Sequence, residues 1–205
     1  MARFILLLLL LVAGALVIAL FFDHRSRQDA RFDRLRQAFL HGRPLAGYSR
    51  PATAVEVVHP DGVQFRAPAS WVVDVVKGER PAVEAPAAGG RRVQVEVIWL
   101  QDRAAGPIAD ALKALEPERE RSLETLPNGH VLAKSLVPVR TAGGWVASYT
   151  WRLARSEPGG GLRIAVFRLQ LPVEAAPDVI AQSDLGTLER EVREATFSSG
   201  TPSRA

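Results

Sequence analysis

Nineteen consecutive apolar or small residues, Phe4 to Phe22, open the chain without a charge, a proline or a polar side chain. As a helix the run would span roughly 28 Å, close to the thickness of a bilayer's hydrocarbon core. Phe4, Leu10, Leu20 and Phe22 mark its two ends and its interior as the expected membrane anchor. A cleaved signal peptide is the competing reading, with small-residue sites at Ala13-Gly14-Ala15 and Val17-Ile18-Ala19. Such peptides carry shorter apolar cores, and cleavage here would leave an apolar stub. An uncleaved signal-anchor over residues 1–22 is therefore expected.

Behind the run the pattern changes period. Phe32, Leu35 and Phe39 fall at helical spacing among Arg25, Arg27, Arg31, Arg34 and Arg36. A basic juxtamembrane helix over 23–43 follows, ended by Gly42 and Pro44. Two readings of it stay open: a solvated helix, or an amphipathic segment whose arginines touch anionic lipid headgroups. Residues 44–52 read as a linker.

From residue 53 the alternation is that of strands. Ala54–Val58 and Val63–Ala67 flank His59-Pro60-Asp61-Gly62, a hairpin turn. Trp71–Val76 and Val93–Leu100 are further strands, separated by a loop rich in Pro, Ala and Gly. Pro107 begins a helix over 108–115, and a second helical piece is expected to run to about Leu126. His130–Arg140 and Trp145–Arg155 form a long hairpin, Leu162–Leu171 pairs next, and a helix over 177–194 precedes a short closing strand at 195–198. Residues 199–205 read as a disordered tail. The expected fold is α+β, an antiparallel sheet of about six or seven strands with two helices packed on it, filling residues 53–198.

Charge refines this picture. The formal net charge of +4 arises within residues 1–43, where seven arginines face three aspartates. The remainder is balanced, which argues against nucleic-acid binding. The absence of cysteine excludes thiol catalysis, thiolate metal sites and a lipoprotein anchor. The great excess of Arg over Lys is a compositional mark of high-GC bacteria.

Chemistry is sparse. His24, His41, His59 and His130 show no ligand spacing, so no metal is expected. Glu116, Glu118, Glu120 and Glu124 interleave with arginines as on a solvated helix face. Gly159-Gly160-Gly161 and Gly89-Gly90-Arg91-Arg92 precede no helix, as a phosphate cradle would require. Trp71, Trp99, Trp145 and Trp151 are candidate partner-contact aromatics where they lie outside the core. No catalytic residue and no cofactor is expected.

The segment Gly62-Val63-Gln64-Phe65-Arg66-Ala67-Pro68-Ala69-Ser70-Trp71 resembles the opening of PsbP-like proteins, a family that includes the photosystem II extrinsic P subunit and bacterial DcrB-like envelope proteins. The aromatic strand Trp145–Trp151 and the terminal helix ending in Ala195-Thr196-Phe197 also fit that pattern. The resemblance implies a small exported sheet domain that binds proteins without catalysis. This chain departs from some bacterial members in lacking a lipidated cysteine, and no functional residue carries over. The expected partners are the lipid bilayer and another envelope protein. The expected function is a membrane-tethered, non-catalytic binding module of the bacterial cell envelope, with a membrane-anchored, hydrolase-like enzyme as the alternative. Orientation divides the signals. Five arginines behind the anchor favour a cytoplasmic domain, the resemblance a periplasmic one, and the periplasmic side of a single-pass inner-membrane protein is the expectation.

Overall fold

The computed structural model describes residues 25–42, 54–76, 91–100, 107–115, 121–158 and 160–198. The expected anchor at 1–22, the expected linker at 44–52 and the expected tail at 199–205 lie outside the described residues. Among the described residues no helix is long and apolar enough to cross a membrane.

The fold is mixed α+β, with three helices and two sheets. A helix over 25–41, α1, comes first. The hairpin β1 (Ala54–His59) and β2 (Val63–Pro68) follows, then β3 (Val72–Val76), β4 (Arg92–Leu100), α2 (Ile108–Leu115) and β5 (Ser122–Thr125). The chain closes through β6 (Val131–Thr141), β7 (Gly144–Ser156), β8 (Leu162–Pro172), α3 (Val179–Glu194) and β9 (Thr196–Phe197). The larger sheet has six strands in the order β3-β4-β8-β7-β6-β5, and the smaller has three, β1-β2-β9.

Four features differ from the single antiparallel sheet with two helices. β3 and β4 pair in parallel. The connection from Val76 to Arg92 exceeds the roughly dozen residues that a parallel return requires. Ser122–Thr125, expected to be helical, is an edge strand paired with β6. The first hairpin leaves the main sheet, because β9 closes its inner edge through Val63 and Gln64.

The fourth difference is α1. Phe32, Phe39 and Leu40 are 5%, 8% and 4% exposed and belong to the main core, with Leu35 packed against it. Phe39 meets Tyr149 and Trp151 edge-on at 4.9 and 5.0 Å, and Phe32 meets Trp145 at 6.0 Å. Such edge-to-face contacts suit the aromatic quadrupoles. The apolar stripe therefore covers the sheet instead of facing solvent or headgroups. Arg25, Arg27, Arg31 and Arg34 stay exposed, and Arg36 bridges to Asp33 at 2.9 Å.

α1 and α3 lie on one face of the six-stranded sheet with the small sheet beside them, enclosing Val93, Val95, Tyr149, Trp151, Phe167 and Leu169. On the opposite face α2 covers Ala133, Ala154, Ile164 and Val166 with Ala111 and Leu112. The β6–β7 turn and the start of α3 lie at one end of the sheet, here the Trp145 end. The β7–β8 turn and β9 lie at the other, the Phe197 end.

Candidate functional site

A groove of about 500 Å³ lies over the small sheet beside the last turn of α3. Ala54, Glu56, Gln64, Phe65 and Arg66 form one side, and Glu191, Glu194 and Thr196 the other. The strand register explains this lining. Glu56 stands directly opposite Arg66, and Gln64 opposite Thr196, so alternate residues of the ladder turn their side chains to one surface. β9 pairs with β2 only at Val63 and Gln64, and the chain before it is already helix α3. Beyond Gln64 that edge of β2 has no strand partner among the described residues. The groove opens there, with three carboxylates and one guanidinium around it.

The small sheet is held in place from beneath by two arginines, one fully buried and one partly buried. Arg163, 1% exposed, occupies an inward position on β8 in the same alternation as Ala165 and Phe167. Its Nη1 donates to the carbonyls of Ser198 at 2.9 Å and Gly62 at 3.3 Å, and its Nε lies 3.0 Å from Glu157 Oε1. The guanidinium stacks over Trp99 at 3.9 Å. Arg155 donates to the Phe197 carbonyl at 3.0 Å and to both Glu157 oxygens. Phe197 is thereby flanked by both guanidiniums and by the His130 ring, 5.2 Å away. Burial lowers the pKa of Arg163, with Glu157 opposing that shift.

Gly62 closes this arrangement. Its φ of +81° is left-handed, and an added Cβ would meet Ser198 Oγ at 2.5 Å. The neighbouring His59 is fully buried, although the sequence placed it in an ordinary turn. Its Nδ1 accepts a hydrogen bond from the Asp61 backbone N–H at 3.1 Å, which requires the neutral ring. Burial lowers the His59 pKa, while Asp61, the backbone of Val76 and Val95, and Glu96 pull the other way. Burial and then Arg155 lower that of His130.

A second buried charge ties the helices to the sheet. Lys134 Nζ lies 3.3 Å from Glu189 and 5.2 Å above the Phe39 ring, joining β6 to both α3 and α1. Glu189 also accepts from Arg193 at 3.0 Å, and Arg193 grips Glu124 through two bonds at 2.8 and 2.7 Å. That pair holds the Glu124 carboxyl below its ordinary value. Glu124 thus belongs to a strand and a structural ion pair, not to a solvated helix face; Glu116, Glu118 and Glu120 lie outside the described residues.

The four tryptophans do not form one patch. Trp151 is fully buried, Trp71 and Trp145 are partly buried at the Trp145 end, and Trp99 lies under Arg163. The histidines do not converge, and His24 lies outside the described residues. Among the described residues no group of His, Cys, Asp and Glu could hold a metal ion. The arginine clamp went unnoticed in the sequence although a signal exists: Arg163 holds an inward position in the alternation of Leu162–Leu171. No protein-family model and no curated protein matches the chain.

Proposed function

We propose that the chain is a membrane-tethered binding module of the bacterial cell envelope, its domain on the periplasmic side. The groove over the small sheet docks an extended segment of a partner protein that carries basic side chains. The observation that carries this reading is the groove itself, where Glu56, Glu191 and Glu194 gather against Arg66 alongside an edge of β2 that no strand covers among the described residues. Strand edges and their flanking pockets recognise extended peptides through main-chain bonds and alternate side chains. The tether is supported by the apolar run Phe4–Phe22. The periplasmic side and the lack of catalysis are supported by the resemblance of Gly62–Trp71 to PsbP-like proteins.

In-cell photocrosslinking tests the groove. A photoreactive phenylalanine analogue at position 66 should give a discrete adduct with one partner, and the same probe at position 128 should not. Glu194→Lys should weaken that adduct. An equal pattern from both positions, or none from position 66, would refute the assignment.

A further inference from the structure

The helix that follows the anchor also fixes which end of the domain meets the bilayer. Within α1, Phe32 packs on Trp145 and Phe39 lies farther along the sheet over Tyr149 and Trp151. The helix therefore enters from the Trp145 end, and residues 25–31 extend about 10 Å beyond Phe32 in that direction. The start of α3 lies at the same end. β8 finishes there with Pro172 opposite Val146, and the Val173 N–H donates to the Trp145 carbonyl at 3.2 Å. Val179 and Ile180 follow, each 71% exposed, the two most exposed large apolar side chains among the described residues.

We propose that Val179 and Ile180 insert into the headgroup–acyl boundary of the bilayer that holds the anchor, forming a second membrane contact. This rests on the tether reading above. The occupant follows from continuity: the apolar run ends at Phe22, three residues before the first described residue of α1, so the end of the domain from which α1 enters is the end nearest the lipid. Trp71 and Trp145, both partly buried, also lie at this end, and tryptophan favours the interfacial layer. Arg25, Arg27, Arg31 and Arg140 are exposed around it, together with Asp29, Glu174 and Asp178. With charges of both signs present, insertion is carried by the apolar pair, and the arginines reach phosphate groups.

The chain has no cysteine, so single labels are clean. The full chain carrying Ile180→Cys or Asn128→Cys is labelled with an environment-sensitive fluorophore. It is then reconstituted in phosphatidylcholine–phosphatidylglycerol vesicles that contain a shallow doxyl lipid. Flotation with the vesicles and doxyl quenching of the label at position 180, but not at 128, is the expected result. Flotation with both labels in an aqueous environment overturns this proposal and leaves the tether standing. A shielded but unquenched label at position 180 also overturns it, pointing to contact with a second copy. Failure to float overturns the tether and this proposal together.

Discussion

Phe39→Ala separates a helix built into the domain from one that only leads to it. Phe39 is 8% exposed and closes edge-on against Tyr149 and Trp151, with Lys134 Nζ over its face. Truncating a buried phenylalanine costs about 3–5 kcal/mol through lost transfer energy and the cavity left behind. That figure already contains the edge-to-face contacts, each about 0.5–1.5 kcal/mol. Against a typical domain stability of about 5–15 kcal/mol the loss is large. With a urea dependence of about 1–3 kcal/mol per molar, the unfolding midpoint falls by about 1 M or more. The full chain in detergent micelles is unfolded in urea and followed by tryptophan fluorescence, to which Trp151 contributes directly. Arg34→Ala, on the exposed side of the same helix, should stay within about 0.5 kcal/mol of the parent. Equal midpoints for Phe39→Ala and the parent would refute the packing of α1 on the sheet.

The other predictions concern the far end of the sheet. Arg163→Met removes the donor to the Ser198 and Gly62 carbonyls; Glu157 keeps Arg155, so no carboxylate is orphaned. At about 1.5–3 kcal/mol for hydrogen bonds to a charged group, the small sheet should loosen first. Hydrogen exchange at the Ser198 and Phe197 amides should accelerate, and unchanged protection there would contradict the clamp. Gly62→Ala should destabilise the domain by more than the roughly 1–2 kcal/mol that left-handed backbone costs a residue with a Cβ, since the new Cβ also meets Ser198; an unaffected thermal midpoint would count against that close approach. For His59 the folded-state pKa lies below the ordinary 6.5. The unfolded chain therefore binds the proton more readily, and stability is full above that value and declines as pH falls below it. His59→Asn, which keeps an acceptor for the Asp61 N–H, should flatten this acid limb of the stability curve, and an unchanged slope would refute the role of His59.

Much of the domain is legible as alternation. The hairpin around His59–Gly62 and the run β6-β7-β8 follow directly from strand-period patterns and turn residues, and α3 from its helical stripe. Alternation carries no direction, so the parallel pairing of β3 with β4 is invisible in it; what sets it is the long return between Val76 and Arg92. β5 escapes because Ser-Leu-Glu-Thr holds a single apolar residue, and its pairing with β6 supplies what its composition does not. The stripe of α1 is legible as residues, but its destination is not, because Phe32 and Phe39 suit a sheet face as well as a lipid surface. Lys134 and Arg163 are missed for a different reason. Residue type places them outside, whereas their positions in β6 and β8 turn them inward, where Glu189, Glu157 and backbone carbonyls compensate the burial. The groove joins Glu56 and Arg66 of one legible hairpin to Glu191 and Glu194 at the distant end of α3, and only the pairing of β2 with β9 brings the two parts together.

Membrane topology tests the account most directly. Cells producing the full chain are converted to spheroplasts and treated with protease before and after lysis, and the membranes are washed with alkaline carbonate. A tethered periplasmic module predicts that the chain remains in the washed membranes and that its domain is digested in intact spheroplasts. A domain protected until lysis would contradict the periplasmic placement, and release by carbonate would contradict the tether.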